Sequence, residues 1–265
     1  MDFTEIHAKS ILRKRKKIDS WFISHYGMNL YQGCVHNCAY CDGRAETYNV
    51  QGEFGQDIAV KIIAIEILEK ELNPARKRVP LKKGLIMVVG GVDDGYQTVE
   101  KEYQLTRKTL ELLKKCRYPI HILTKSVLVE RDIDLLSQIN EQNRAIVSFS
   151  FSCIDKNFSV FMEPGVPSPH KRLETISRLK EKGIACGMFL IQVIPFLTDT
   201  TAQMNKAIEK GIEYGIDFVI FGGMTMKPGR QQDFFLKRLF QFKPELIQKY
   251  SKIYHGDKWG GASHL

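Results

Sequence analysis

The stretch Tyr31-Gln32-Gly33-Cys34-Val35-His36-Asn37-Cys38-Ala39-Tyr40-Cys41 places three thiols within eight residues, in the spacing C-x3-C-x2-C. A structural zinc ion takes four ligands, usually as two separated pairs. No second C-x2-C pair occurs in the chain. His36 as fourth ligand would crowd one short loop against tetrahedral geometry. A redox C-x-x-C would leave the third cysteine without a role. A [4Fe–4S] cluster uses all three. Most such clusters have four cysteine ligands, so three leave one iron open, which is useful where a small molecule chelates it.

Outward from this loop, the chain from Gly84 onward alternates short apolar runs with longer amphipathic ones. The strand-like runs are Leu85–Val89, Ile120–Thr124, Ile146–Phe151, Gly187–Val193 and Phe218–Phe221. They are bounded by Gly or Pro and lack strict alternation, as strands buried on both faces do. A further strand is predicted at Met28–Tyr31, immediately before the cysteines. Ile58, Ile62, Ile65, Leu68 and Leu72 recur at spacings of four and three, which predicts one helix face. Further stripes are Val99, Tyr103, Leu110 and Leu113; Ile133, Leu136 and Ile139; and Leu173, Ile176 and Leu179. Asp199 to Tyr214 supplies a fifth helix. Repeated α-β units favour a parallel sheet with helices outside. Six strands suit a partial (β/α)6 barrel better than a closed eightfold one, which takes about 250 residues for the barrel alone. A doubly wound sheet is the alternative that periodicity cannot separate. The expected division is an N-terminal basic arm at 1–26, a core at 27–240 and a C-terminal appendage at 241–265, its Gly-rich end poorly ordered.

Lysine and arginine total 39 against 30 acidic residues, a net charge of +9. That ranks an anionic partner, nucleic acid first, without bearing on fold. The densest patch, Arg13-Lys14-Arg15-Lys16-Lys17, reads equally as a solvated arm or a phosphate contact. Cys116, Cys153 and Cys186 are scattered, and no disulfide is expected. The longest apolar runs fall far short of the roughly 20 residues of a membrane-spanning helix. The N-terminal MDFTEIHAKS has no apolar core and does not read as a secretory signal. A cytoplasmic protein without membrane contact is the expectation.

The cysteine segment, with aromatic Tyr40 before the last cysteine, resembles the signature of the radical S-adenosylmethionine (radical SAM) superfamily. More narrowly, the chain resembles its spore photoproduct lyase-like branch, often labelled DNA repair photolyases. The motifs are AKSIL (Ala8–Leu12), NLYQGC (Asn29–Cys34), VEKEYQLTRKTLELL from Val99, LTKS (Leu123–Ser126) and RDIDLL (Arg131–Leu136). They continue with EPGVPSPHKRL (Glu163–Leu173) and FLIQVIPFLTD, ending at Asp199. Together they span Glu5 to Leu239.

The resemblance implies a partial (β/α)6 barrel of the radical SAM type, with a [4Fe–4S] cluster on Cys34, Cys38 and Cys41. S-adenosylmethionine would lie at the C-terminal ends of the strands. It places Tyr40 near the adenine, and Lys125 and Ser148 at the methionyl group. Gly90-Gly91 would let backbone approach the amine, and Gln192 would touch the nucleoside. Lys125, Ser148 and the glycine pair each have a plain structural reading too: a solvated loop lysine, an inward spacer and a tight turn. Asp93 and Asp94 read as site residues or as a helix cap, Glu163 and Arg172 as contacts or as an ion pair. The resemblance implies reductive cleavage of S-adenosylmethionine on a nucleic acid or nucleotide-like substrate, with an electron donor such as flavodoxin or ferredoxin. Modification of a protein or small metabolite, and a non-catalytic redox protein, are the alternatives. Spore photoproduct lyase returns a hydrogen to thymine from a cysteine near the end of the second strand. That place falls on Gly91 here, which has no side chain to donate that hydrogen, so reversal of the lesion by that route is not expected.

Overall fold

The computed structural model describes residues 2–75, 81–88, 93–255 and 257–263. Its strands are β1 (Asp2–Ile6), β2 (Arg13–Lys14), β3 (Tyr26–Met28), β4 (Tyr31–Gln32), β5 (Asp57–Lys61), β6 (Ile86–Val88), β7 (Ile120–Thr124), β8 (Ala145–Phe151), β9 (Ala185–Val193) and β10 (Phe218–Gly223). The helices are α1 (Ala64–Leu72), α2 (Glu100–Tyr103), α3 (Leu105–Lys115), α4 (Ile133–Gln142), α5 (Lys156–Met162), α6 (Pro169–Glu181), α7 (Thr201–Glu213), α8 (Arg230–Phe242) and α9 (Ile247–Ile253).

Among the described residues the main sheet has the order β10-β9-β8-β7-β6-β3-β2, parallel from β10 to β3, with β2 antiparallel at the edge. Successive parallel strands are joined by outer helices whose apolar stripes are buried, among them Leu110 and Leu113, Leu136 and Ile139, Ile176 and Leu179. One contact separates the barrel from the doubly wound sheet. His121 on β7 and Phe218 on β10 have ring centroids 6.4 Å apart, whereas three strand spacings in a flat sheet would be roughly 14 Å. The sheet therefore curls, as the partial (β/α)6 barrel requires. No described helix is long and apolar enough to cross a membrane, and all six cysteines are free thiols.

Three sequence expectations need correction. Ile58 is not on a helix: it lies in β5, which pairs with β1 and β4 in a separate three-stranded sheet. Ile58 and Val60 alternate into the core with the strand period of two, and Ile62 lies in the turn before α1. The strand expected at Met28–Tyr31 is two short ones, β3 and β4, paired to different sheets. The stripe from Val99 to Leu113 is broken at Gln104, whose φ of 53° ends α2 and opens α3.

The described residues of the expected arm and appendage pair and pack with the rest of the fold. Asp2–Ile6 pairs in register with β5, and Arg13–Lys14 extends the barrel sheet. Beyond Phe240, Tyr250 and Tyr254 are buried. The Tyr254 hydroxyl donates to the Met224 carbonyl at 2.8 Å, and Met226 N–H to the Gly260 carbonyl at 2.8 Å.

Candidate functional site

The cysteine loop leaves β4 and crosses the C-terminal ends of the barrel strands. Its own hydrogen bonds cannot close so irregular a backbone, so other elements satisfy it. Gln97 accepts from Val35 N–H at 3.0 Å and donates to the Gly33 carbonyl at 3.1 Å. Met162 accepts from Ala39 N–H at 2.8 Å. Buried Gln231 on α8 donates to the Tyr40 carbonyl at 3.4 Å. Arg44 donates to the Asn37 side chain and lies between the Phe234 and Phe54 rings, 3.4 and 4.8 Å from their centroids. Gly165 of the Pro-rich loop donates to the His36 carbonyl at 3.1 Å. A Cβ there would stand 2.3 Å from the Val35 carbonyl oxygen, so only glycine permits the approach.

Two buried carboxylates fix the same loop from two sides. Asp94 accepts from Thr124 Oγ1 at 2.8 Å, Lys125 N–H at 2.8 Å and Tyr96 N–H at 2.8 Å, and faces His36 Nδ1 at 3.5 Å. Opposite, Glu163 accepts the Tyr40 hydroxyl, those of Ser152 and Ser159 at 3.2 and 3.1 Å, and Arg172 Nη2 at 2.7 Å. Burial alone would raise the Glu163 carboxyl; Arg172, Lys125 and the donated hydrogen bonds outweigh it and hold it below the usual range. Thus Asp94 ties the loop to the second and third barrel strands, and Glu163 and Arg172 form the ion pair that was one of their two readings.

A cavity opens between these supports, enclosing about 660 Å³ of non-protein space with its mouth included. That lies in the range of small-molecule sites. Cys34, Cys38, Cys41 and Tyr40 line it on one side, with Lys125, Ser150, Gln192 and Asp93 among the residues on the others. The structure therefore gathers eight of the sequence candidates around one space: Cys34, Cys38, Cys41, Tyr40, Lys125, Gln192, Asp93 and Asp94. Ser148 is not among the lining residues. Its hydroxyl meets His121 Nε2 at 2.8 Å, one pleat repeat of roughly 7 Å below Ser150 on the same face of β8. Ser150, the next inward residue, receives Lys125 Nζ at 2.5 Å. Gly90 and Gly91 lie outside the described residues.

The donor set suits an iron–sulfur cluster with an open iron. Among the described residues no three His, Cys, Asp or Glu side chains converge where a single metal ion would sit. Sulfurs on a common zinc would lie within about 4 Å of one another, given a Zn–S bond near 2.3 Å. Burial pushes all three thiols up, with Asp94 adding to the effect at Cys34; bound iron is what would draw them into the thiolate form. Two buried acceptors in the cavity wall, Asp93 Oδ2 and Gln192 Oε1, find no donor within the protein. Burial and the neighbouring Asp94 raise the Asp93 carboxyl to about 8, against the pull of Lys61. A ligand bearing an ammonium and hydroxyls would supply the missing donors, and Lys125 would face its carboxylate.

Sequence reading missed Gln97, Arg44 and Gln231 as supports. Glu100 lies within a motif already singled out, and Gln97 stands in the turn just before it, which was a usable signal. Gln231 lies 191 residues from the Tyr40 carbonyl it meets, and nothing local marks it.

The family model described as the Radical SAM superfamily matches residues 28–206. Uncharacterized protein Rv2578c of Mycobacterium tuberculosis is 28% identical over 256 residues, covering 95% of this chain and 73% of its own length. Uncharacterized protein MJ0683 of Methanocaldococcus jannaschii is 29% identical over 224 residues, covering 84% and 79%. Among solved structures, spore photoproduct lyase complexed with dinucleoside spore photoproduct is similar over 92% of this chain, with a TM-score of 0.63 at 14% identity. This chain spans 66% of that protein's length. Streptococcus suis SuiB bound to S-adenosylmethionine is similar over 84% of this chain and 47% of its own, with a TM-score of 0.56 at 15% identity. At these identities the structural likeness is one of fold.

Proposed function

The chain belongs to the radical SAM superfamily, and from that premise we propose that it holds a [4Fe–4S] cluster on Cys34, Cys38 and Cys41 and reductively cleaves S-adenosylmethionine. The observation that carries this reading is the meeting of the three thiols with Lys125 and the two unpartnered acceptors around one cavity. Together, a reduced cluster and S-adenosylmethionine supply one-electron cleavage of the sulfonium carbon–sulfur bond to a 5′-deoxyadenosyl radical, a hydrogen-abstracting reagent.

The residues of this chain do the rest by binding and orienting. Lys125, steadied by Ser150, is the point charge for the methionyl carboxylate. Asp93 Oδ2 accepts from the ammonium, and Gln192 Oε1 from the ribose. Tyr40 is pinned through its hydroxyl by Glu163, which fixes the ring between Ala39 and Cys41 where the adenine would lie. The electron comes from an external donor of the flavodoxin or ferredoxin class.

For the substrate we propose a nucleic acid or nucleotide-like molecule. Support comes from the fold shared with spore photoproduct lyase and the net charge of +9. Thymine-lesion reversal by a cysteine donor is a poorer fit. Cys153 and Cys186 are not among the cavity-lining residues, and Cys186 is buried with its sulfur toward the Ile176 and Ile184 carbonyls.

The test is anaerobic reconstitution with iron, sulfide and reductant, followed by chromatography for 5′-deoxyadenosine. Cleavage is expected in the wild type, and none in a variant with Cys34, Cys38 and Cys41 all replaced by Ala, which should also lose the cluster's visible absorbance. A triple variant that still takes up a full cluster would place the site elsewhere.

A further inference from the structure

The basic segment Arg13–Lys17 is one arm of a hairpin whose tip crosses the open side of the barrel. Arg13 and Lys14 pair with Gly27 and Tyr26. The pairing continues through Arg15 N–H to the His25 carbonyl at 2.9 Å and Asp19 N–H to the Ser24 carbonyl at 3.1 Å. Asp19 Oδ1 then closes the turn, accepting from the Trp21 and Phe22 amides at 3.0 Å each. From this tip Phe22 stacks on Phe189 of β9, centroids 5.4 Å apart with planes 5° from parallel. Trp21 lies over Gly222 of β10, where a Cβ would come within 2.4 Å of the indole. The tip thus bridges the two edges that the partial barrel leaves unjoined.

What the hairpin shows to solvent is distinctive. Trp21 is 44% exposed and sits between two exposed isoleucines, Ile18 and Ile23. Arg13, Lys14, Lys16 and Lys17 are exposed, and among the described residues none of the four has an ion-pair partner; only Arg15 does, with Asp19. Gly222, under the indole, is in register with Ile191, which lines the cavity beside Gln192. The aromatic platform is therefore one strand away from the candidate site, at the end of an arm that carries four exposed cations without ion-pair partners among the described residues.

We infer that this hairpin face is a binding surface for single-stranded nucleic acid, with Trp21 stacking on a base and the four cations following the phosphates. Exposed cations and a half-exposed aromatic are the two components of sequence-tolerant single-strand binding. A lipid surface is the competing occupant, and the vesicle arm of the test separates it from a nucleic acid. The inference rests on the nucleic-acid reading above and deepens it to a surface and a strand type.

The experiment uses the reconstituted full chain and a short labelled oligothymidylate, read by fluorescence anisotropy, with a Trp259→Phe background so that quenching reports Trp21 alone. Saturable binding with quenching is expected, tighter for the single strand than for the duplex. The log–log salt slope should be near −3, from roughly 0.7 per phosphate over four contacts. Trp21→Ala should weaken binding about fivefold to a hundredfold, and Trp21→Phe, which keeps a ring, should restore most of it. Lys16→Glu with Lys17→Glu should cut the salt slope roughly in half. Trp21→Ala binding as tightly as wild type, no binding at low salt, or preference for anionic phosphatidylserine vesicles over the oligonucleotide would overturn the inference. The same preparation is assayed for 5′-deoxyadenosine. A failure of the radical SAM reading thus registers in product formation, and a failure of this one in anisotropy.

Discussion

Replacing Arg172 with Met should destabilise the protein by about 3–5 kcal/mol, the cost of removing one partner of a buried ion pair. Arg172 is fully buried and Glu163 is 2% exposed. The guanidinium donates to Glu163 Oε2 at 2.7 Å and to the Ser150 carbonyl at 2.5 Å, and lies 4.6 Å from the Phe151 ring centroid. Methionine keeps the apolar contact with the ring and deletes the charge, leaving a carboxylate enclosed by hydroxyls. Against a whole-domain stability of about 5–15 kcal/mol, that is a large fraction. Adding Glu163→Gln should recover much of the loss, because it removes the stranded charge; the pair is in contact, so the two changes will not add. The assay is urea unfolding of the apo protein followed by circular dichroism, comparing midpoints at constant slope. Acid provides a second readout. The Glu163 carboxyl is held below its usual range, so its contribution is complete above the unfolded value of about 4.3. It is lost as pH falls below that through the lower folded value, and Glu163→Gln should flatten this limb. A loss under about 1 kcal/mol for Arg172→Met, or a double variant as unstable as the sum of the singles, would refute the accounting.

Lys125→Ala should weaken S-adenosylmethionine binding about tenfold to a hundredfold with the cluster retained, from loss of a charge-assisted hydrogen bond; an unchanged titration refutes its assignment. Ser148→Ala, by contrast, should leave that affinity alone and lower stability by about 1–3 kcal/mol, because it strands the buried His121 nitrogen. Incubation with a spore-photoproduct dinucleotide and S-adenosylmethionine should not return two thymines over many turnovers; sustained stoichiometric repair would show that another donor serves in the place of Gly91.

How much of this was legible in the chain depends on how local the cause is. The cysteine loop is local, and its spacing is what the proposed iron–sulfur reading starts from. Strand and helix order is nearly local too, although the stripe from Ile58 to Leu72 runs across the end of β5 and into α1. Depth along a strand is not local. Ser148 and Ser150 share a face of β8, and only the packing of His121 against the first and Lys125 against the second decides which one borders the cavity. Pairings across nearly the whole chain, such as Gln231 with Tyr40, leave no periodic trace. The hairpin was legible as charge but not as shape, because its register comes from β3 and its seat from Phe189 and Gly222.

Beside the S-adenosylmethionine contacts proposed for Lys125 and Gln192, the motifs that carry the family resemblance share a structural duty, which is to hold the cysteine loop. Gln97 and Glu100 flank Val99, at which one motif begins. The first staples the Gly33 and Val35 backbone; the second takes the Tyr31 hydroxyl at 2.5 Å and the Arg131 guanidinium at 2.7 Å. Arg131 opens a second motif. Glu163, Gly165 and Arg172 belong to a third, and all three act on the cysteine loop or on the residues that brace it. Thr124 and Lys125 of a fourth grip Asp94, which reaches His36. Similarity in these segments is therefore similarity in how a cysteine-bearing loop is held over a barrel. Holding the loop is common to any chemistry begun there, so relatives can keep these residues while changing what they act on. Specificity must be sought where the motifs are silent, on the hairpin at Trp21 and along the open seam it crosses.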